Sequence, residues 1–299
     1  MTQSFGSRLH EAMAKRGPLC VGLDPHASLL TRWGYGDDLA GLERFSRDVV
    51  DALGDFAAVF KPQSAFYERF GSGGVAVLES TIRHLRRAGA LVLLDVKRGD
   101  IGSTVQAYAD AYLNPSSPMY VDAVTASPYL GFGALRPMID TALAHGGGVF
   151  VLALTSNPEG GSVQRARTAD GRTVAQLVID EIAQVNAGAY PLGSVGAVIG
   201  ATVGGADHDV TLINGPILAP GLGAQGATPA DLRRVFGPSR SVVLPTVSRE
   251  ILSAGPDPAT LRAAATQVLS ACQDALAGIA SDRVRPMVDP GVAETGVDR

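Results

Sequence analysis

Short apolar runs alternate with longer amphipathic segments along most of the chain. Eight runs rich in β-branched residues are typical of buried strands, and they span residues 19–24, 57–61, 90–97, 121–127, 148–155, 195–202, 216–221 and 241–248. Between them, segments such as LERFSRDVVDALGD and TVAQLVIDEIAQVNAG place apolar residues at steps of three and four, which predicts amphipathic helices. This alternation indicates βαβ units around a parallel sheet.

The number of repeats and the chain length together predict the fold class. Eight strand–helix repeats in 299 residues favour an α/β fold built as a single (β/α)8 TIM barrel, whose strands are buried on both faces. An open, doubly wound sheet is the alternative. Since no linker divides the chain, we expect the barrel to cover residues 1–288 and a flexible tail to follow over 289–299.

Composition and charge exclude several classes of protein. The chain is 46% hydrophobic and 18% charged, as expected of a globular domain with a large core. Its net charge of -4 offers no positive field to a nucleic acid, and two cysteines are too few for a disulfide framework or a zinc site. Neither a signal peptide nor an apolar span of about 18 residues stands out. We therefore expect a cytoplasmic protein that binds neither nucleic acid nor membrane.

Charged and polar side chains stand at the C-terminal ends of the predicted strands. Asp95 and Lys97 end the third run, and period-two geometry places both on one side of that strand. Asp24 ends the first run, Lys61 the second, and Ser156 follows the fifth. Because the strand ends of a barrel converge on one mouth, these groups are expected to face a single cavity.

Lysines and carboxylates in one cavity indicate a particular chemistry. An isolated buried ion is costly, so neighbouring carboxylates keep a lysine protonated. Such a lysine is a poor nucleophile but can donate a proton to a developing carbanion. Carboxylates there could also repel a substrate carboxylate and favour its loss. An Asp–Lys pair at one strand end is often only a surface salt bridge, so the interpretation depends on several strand ends together.

Two features near the end of the barrel predict a phosphate site. The run APGLGAQGA at 219–227 follows the seventh strand, and its glycines could let backbone N–H groups approach an anion before a helix near Thr228. Arg249 ends the eighth strand, and barrels often bind phosphate after the seventh and eighth strands. GLGAQG also fits a dinucleotide-binding pattern, but it follows the seventh strand and no acidic residue ends the next one.

Together these blocks resemble the orotidine 5'-phosphate decarboxylase family. The family signature D-x-K-x-x-D-I, with a threonine three residues beyond, occurs as DVKRGDIGST at 95–104. GLD, FKPQ, LTSNPEG, PGLGAQG and SREI occur in the family's order, from residue 22 to residue 251. FKPQSAFYERFG and VTASPYLG are similar to its longer bacterial subgroup, often called type 2. SREI departs from the GRSI of many members.

The resemblance implies decarboxylation of orotidine 5'-monophosphate to UMP and CO2, the last step of UMP biosynthesis, by a homodimeric barrel without metal or organic cofactor. It implies that Lys97 protonates C6 of the pyrimidine and that Asp95 faces the substrate carboxylate. It assigns Lys61 and Asp24 to the ribose hydroxyls, Asp100, Ile101 and Thr104 to the partner's site, Ser156 to the pyrimidine, and Gln225 and Arg249 to the phosphate. Asp100 and Lys61 would complete the catalytic charges.

Three alternatives stay open. A magnesium-dependent sugar-phosphate decarboxylase or synthase of the same suprafamily would need an acidic ligand where this chain has Lys61. A Schiff-base aldolase would need a neutral lysine, whereas the carboxylates favour an ammonium at Lys97. A non-catalytic nucleotide-binding barrel would not need an array of costly charges. Arg165, Arg167 and Arg172, on the long loop after the fifth strand, are candidates for phosphate or lid roles.

Overall fold

Eight parallel strands close into a barrel in which each strand pairs with the next and the last pairs with the first. The computed structural model describes residues 3–203, 208–223 and 226–277. The strands are β1 Cys20–Leu23, β2 Val59–Pro62, β3 Leu91–Arg98, β4 Ala123–Ala126, β5 Gly148–Leu154, β6 Val195–Ile199, β7 Ile217–Pro220 and β8 Val243–Val247. Each apolar run overlaps one of them, with β2 and β3 ending one residue beyond their runs, so the predicted barrel is confirmed.

Helices surround the strands. They are α1 Phe5–Arg16, α2 Ala27–Arg32, α3 Leu39–Leu53, α4 Ala65–Glu68, α5 Gly71–Arg87, α6 Gly102–Leu113, α7 Arg136–Ala144, α8 Gly161–Gln164, α9 Val174–Val185, α10 Pro229–Phe236, α11 Arg249–Leu252 and α12 Pro258–Leu276. Short 3-10 helices span Phe132–Leu135, Pro158–Gly160 and Gly237–Val242. The two segments with the clearest helical periodicity correspond to α3 and α9.

Two connections differ from a simple strand–helix repeat. The segment after β5, predicted as a loop, contains a 3-10 turn and the short helix α8 before α9 begins. The connection from β6 to β7 contains no α-helix among its described residues. That connection is rich in glycine, aspartate and asparagine, which favour turns over helix. The predicted tail at 289–299 lies outside the described residues.

Alternate residues of the strands point inward and form a core inside the barrel. Val59, Leu93, Phe150 and Leu244 belong to this inner cluster. Helix α1 covers its lower end, where the ring of Phe5 packs edge-on against Phe150 with 5.9 Å between ring centroids. A larger apolar layer lies between the strands and the outer helices. No described helix is both long and apolar enough to cross a membrane.

Strand side chains alternate in direction with a period of two residues, and this alternation also determines which side chains lie above the inner core. Lys61 follows Val59 by two positions, Asp95 follows Leu93, and Thr125 follows Ala123, and each lower residue belongs to the inner cluster. Because inward positions recur every second residue, these polar groups form the next layer toward the C-terminal ends of the strands. The inner core is thus the floor of a polar cavity.

Candidate active site

A cavity of about 390 Å³ opens at the C-terminal ends of the strands. This volume is within the usual range for sites that bind small molecules. Its walls include the five charged residues Asp24, Lys61, Asp95, Lys97 and Arg249. Cationic side chains outnumber carboxylates, so the cavity suits a ligand that carries negative charge.

The carboxylate of Asp95 is the centre of a hydrogen-bond network. Oδ2 accepts from Lys61 Nζ at 2.9 Å and from Gln63 Nε2 at 2.9 Å. Oδ1 accepts from Lys97 Nζ at 2.6 Å and from Thr125 Oγ1 at 2.8 Å. Two ammonium groups and two neutral donors therefore saturate one buried carboxylate, which fixes its orientation.

The backbone at Lys97 is unusual for a strand residue. Lys97 has a φ of 46°, in the left-handed region, and the β3–β4 register shifts between Leu94 and Arg98. The Lys97 N–H donates to Thr125 Oγ1 at 2.9 Å. A non-glycine residue in this conformation is strained, and such strain is common at functional sites. Lys97 still reaches Asp95, although regular strand alternation does not hold at this position.

Burial and charge perturb the ionisation of the paired groups. Burial disfavours the Asp95 carboxylate, but the ammonium groups of Lys61 and Lys97 outweigh it and hold the pKa of Asp95 well below its usual range. Burial also disfavours the charged form of Lys61, but Asp95 and Asp24 outweigh it and raise the pKa of that lysine. Both groups are therefore ionised at neutral pH, as the sequence predicts for a lysine among carboxylates.

These shifts predict how stability depends on pH. Asp95 stabilises the fold above its ordinary pKa of 3.8, and this contribution is lost as pH falls toward the lowered folded value. Lys61 stabilises it below its ordinary pKa of 10.5, and this contribution is lost as pH rises toward the raised folded value. The difference in unfolding free energy between the native chain and Lys61→Met/Asp95→Asn should stay constant from about pH 5 to about pH 9. Urea denaturation checks this, and a step near neutrality would contradict it.

Most of the predicted site residues lie together. Asp24, Ser156 and Arg249 line the same cavity as Lys61, Asp95 and Lys97. Arg249 is exposed and forms no ion pair with another described residue. Its guanidinium is therefore available to an anionic ligand.

Asp100 and Ile101 lie on the segment that joins β3 to α6, Thr104 lies in the first turn of α6, and none of the three lines the cavity of its own chain. Asp100 Oδ1 accepts from the backbone N–H of Ile101 at 2.8 Å, and the side chain of Ile101 is 62% exposed. Lys97 is ion-paired with Asp95 and not with Asp100 among the residues that the structure describes. Asp100 thus adds no carboxylate to the site within one chain.

The glycine-rich segment after β7 contributes its first residues to the cavity, since Gly221 and Leu222 line it. The amides of Gly223, Gly226 and Ala227 donate to carbonyl groups of the same segment, so these three amides are not free to bind an anion, and the approach of the other amides of this run to a phosphate stays a prediction. Thr228 caps α10 through a reciprocal bond with Asp231, which confirms the helix expected near Thr228. Gln225 lies outside the described residues.

The three arginines of the long loop do not line the cavity. Arg172 pairs with Asp170 at 2.6 Å and with Asp180 at 2.7 Å, and Arg167 donates to the carbonyl of Gly171 at 2.6 Å. Arg165 likewise lies away from the cavity lining. Arg167 and Arg172 therefore stabilise the loop itself in this structure.

Several cavity residues were not predicted from the sequence, because a neutral side chain at a strand end does not by itself indicate a functional site. Gln63 and Thr125 bind Asp95, while the rings of His26 and Phe66 contact each other on the cavity wall, with 4.2 Å between centroids and 59° between planes. Ser248 also lines the cavity. The period-two alternation of side chains could have predicted Thr125 and Ser248, because both stand at inward positions when the alternation of β4 and β8 is continued above the inner core.

Thr125→Val should lower kcat by about 10- to 100-fold, because the variant loses a hydrogen bond to an ionised carboxylate and the acceptor for the Lys97 amide. Thr125→Ser keeps the hydroxyl and should restore most of the activity. The affinity of the cavity for its anionic ligand should change little in both variants, since Thr125 acts through Asp95 and Lys97. Equal losses in the valine and serine variants would contradict this positioning role.

Comparison with known proteins identifies relatives that carry out a decarboxylation, which agrees with the array of charges in the cavity. The family model described as Orotidine 5'-phosphate decarboxylase / HUMPS family matches residues 17–264. A relative named orotidine 5'-phosphate decarboxylase from Salinispora arenicola (strain CNS-205) is 72% identical over 276 residues, covering 92% of this chain and 99% of the relative. One of the same name from Streptomyces coelicolor is 61% identical over 263 residues, covering 88% and 95%.

Solved structures share the same barrel. A crystal structure from Streptomyces avermitilis matches with a TM-score of 0.90 at 59% identity, covering 93% of this chain and 97% of that one. The Leishmania donovani OMP decarboxylase structure matches with a TM-score of 0.71 at 34% identity, covering 92% and 99%. The family model spans two kinds of enzyme, but these named relatives are decarboxylases, which are carboxy-lyases. The chain therefore belongs to the orotidine 5'-phosphate decarboxylase family.

Proposed function

We propose that this enzyme decarboxylates orotidine 5'-monophosphate to UMP and CO2, using its own side chains and no metal or organic cofactor. The observation that carries the proposal is the array of Lys61, Asp95 and Lys97, in which a buried carboxylate lies between two ammonium groups in a cavity. The side chain of Lys97 is 46% exposed and that of Lys61 only 9%, so Lys97 is the ammonium open to a ligand.

In the proposed mechanism, loss of CO2 leaves an electron pair on C6 of the pyrimidine, in an orbital that the ring hardly delocalises. The ammonium of Lys97 stabilises this carbanion electrostatically and then donates a proton to C6, giving UMP and a neutral amine that is reprotonated from solvent. Asp95 forms an ion pair with Lys97 in the resting state and faces the carboxylate that leaves. Because the charges are already paired and oriented, little reorganisation is needed when the carbanion forms.

The remaining cavity residues bind the parts of the substrate that do not react. Asp24 and Lys61 contact the ribose hydroxyls, Ser156 contacts the pyrimidine, and Arg249 with Gln225 binds the phosphate. The open guanidinium of Arg249 supports its role, whereas the role of Gln225 depends on the family resemblance alone. Binding energy from the distant phosphate can then support catalysis at C6.

The proposal includes a homodimer in which Asp100, Ile101 and Thr104 complete the partner's site. Ile101 is 62% exposed, and Tyr129 and Leu130 are 80% and 54% exposed. A hydrogen bond of 2.8 Å from Ser127 N to Arg98 O joins the two segments that carry these side chains. Apolar residues exposed together often mark an interface, and this one lies beside the mouth of the cavity.

Mixing inactive Lys97→Ala and Asp100→Ala chains should restore activity. Each site combines Lys97 of one chain with Asp100 of the other, so in the mixed dimer one site lacks both residues and the other has both. The mixed dimer should therefore show about half the activity of the native dimer. Differently tagged chains, refolded together and purified as heterodimers, allow the measurement. A mixture of Lys97→Ala with Asp95→Asn is the control and should stay inactive, because both residues belong to one chain's site. Failure of the first mixture would contradict the shared site.

The ultraviolet absorbance of orotidine 5'-monophosphate, followed with the purified chain and EDTA, tests the proposed function. A change as UMP forms supports it. No change would leave a nucleotide-binding barrel, and a requirement for magnesium would favour the sugar-phosphate enzyme. Trapping of a carbonyl substrate by borohydride would favour the aldolase.

We also propose a cytoplasmic location, which agrees with the free and buried thiols of Cys20 and Cys272.

A further inference from the structure

Two buried polar atoms belong to residues of the cavity wall where β1 meets β8. Asp24 Oδ1 and Ser248 Oγ have no hydrogen-bond partner within the described part of the chain, and both residues line the cavity. Buried polar atoms in native proteins are nearly always hydrogen-bonded to protein, water or ligand. A pair of unsatisfied atoms in the wall of a binding cavity therefore points to groups of the ligand.

The hydroxyl of Ser248 is not used by the helix that it precedes. Ser248 is at the N-cap position of α11, where a serine side chain usually accepts from an amide of the first turn. It makes no such bond, and its φ and ψ are −125° and −79°. The amides of Ile251 and Leu252 instead donate to the backbone carbonyl of Ser248. The side chain is therefore not needed to begin the helix.

Gly22 brings the two unsatisfied groups to one place. A Cβ on Gly22 would lie 2.8 Å from Ser248 Cβ and 3.4 Å from both Ser248 Oγ and Asp24 Oδ2. Gly22 is also the residue of β1 that pairs in register with Lys61 of β2. Ser248, Asp24 and Lys61 thus lie side by side on the wall, and they offer a hydroxyl, a carboxylate and an ammonium.

We propose that the hydroxyl of Ser248 binds a ribose hydroxyl of the nucleotide, beside the one that Asp24 binds. This inference rests on the proposed function and adds a residue that determines sugar specificity. A vicinal diol supplies two O–H donors and further lone pairs, which match a carboxylate that only accepts and a serine that does both. A phosphate at the same point would face the Asp24 carboxylate, so a sugar hydroxyl is the better partner.

Dissociation constants measured by calorimetry test this proposal with UMP, 2'-deoxy-UMP and 3'-deoxy-UMP as probes. Ser248→Ala should weaken UMP binding by about 3- to 10-fold, as expected for one neutral hydrogen bond. The loss should vanish with one of the two deoxynucleotides, because that ligand lacks the partner of the hydroxyl. Ser248→Gly should behave the same way, and Ser241→Ala, an exposed serine outside the cavity, should bind all three ligands like the native chain.

Two results would overturn the proposal. The first is unchanged UMP affinity in both Ser248 variants. The second is an equal loss for all three nucleotides, which would place the contact away from the sugar hydroxyls. Turnover of orotidine 5'-monophosphate by the native chain is measured in parallel, so that absence of decarboxylation, which refutes the proposed function, is distinguished from failure of the Ser248 contact alone.

Discussion

Lys97→Ala should lower the rate of UMP formation by roughly 10⁴-fold or more while the barrel stays folded. In the proposed mechanism, the substitution removes both the proton donor and the positive charge that stabilises the C6 carbanion. Stability should change little, because the side chain of Lys97 is 46% exposed and Asp95 keeps its contacts with Lys61, Gln63 and Thr125. Single-turnover assays with saturating substrate, together with circular dichroism and thermal unfolding, make the measurement.

Lys15→Ala is the matched control, because Lys15 is the only lysine of the chain besides Lys61 and Lys97. It lies exposed near the end of α1, on the opposite side of the barrel from the cavity, so its loss should leave activity unchanged. UMP formation by Lys97→Ala within ten-fold of the native rate would exclude Lys97 as the proton donor.

Asp95→Asn should abolish activity and also destabilise the fold by about 3–5 kcal/mol, the usual cost of breaking a buried ion pair by removing one partner. The asparagine keeps the shape of the side chain but leaves the ammonium of Lys61, whose side chain is 9% exposed, without its closest counter-ion. Of the two carboxylates near the Lys61 ammonium, Asp24 then remains. Urea denaturation at pH 7 measures the loss of stability, and the ultraviolet assay measures the loss of activity.

A double variant separates the loss of stability from the loss of activity in Asp95→Asn. Lys61→Met/Asp95→Asn removes both buried charges, and a buried ion pair replaced as a unit often costs little stability. The double variant should therefore unfold at a higher urea concentration than Asp95→Asn and remain inactive. If it is as unstable as the single variant, the destabilisation does not come from the unpaired Lys61 ammonium.

The sequence was sufficient to predict the barrel, because most strand residues are apolar and buried, so that the strands form short apolar runs. It was less informative between β6 and β7, where the described residues include turns but no α-helix. Period-two geometry predicted that Asp95 and Lys97 lie on one side of β3, and the two side chains do meet, although regular alternation ends at Lys97. The left-handed backbone at Lys97 has no local signal, because it depends on the hydrogen bond to Thr125 in a neighbouring strand.

The candidate site was predictable where its residues are charged. Asp24, Lys61, Asp95, Lys97 and Arg249 line one cavity, as the convergence of strand ends requires. Neutral residues such as Gln63 and Ser248 were missed, because an amide or hydroxyl at a strand end is common in any barrel. In the glycine-rich segment after β7, the amides of Gly223, Gly226 and Ala227 bond within the segment, which its glycine content does not reveal. The proposed role of Asp100 involves a second chain, so its position in one chain does not reveal it.

Two forces could drive the reaction: repulsion between Asp95 and the substrate carboxylate, or stabilisation of the carbanion by Lys97. Exchange of the C6 hydrogen of UMP in D2O separates them, because UMP has no carboxylate yet forms the same carbanion. NMR should detect deuterium at C6 with the native chain and none above background with Lys97→Ala. A native chain that decarboxylates its substrate without exchanging this hydrogen, or undiminished exchange by Lys97→Ala, would contradict carbanion stabilisation by Lys97.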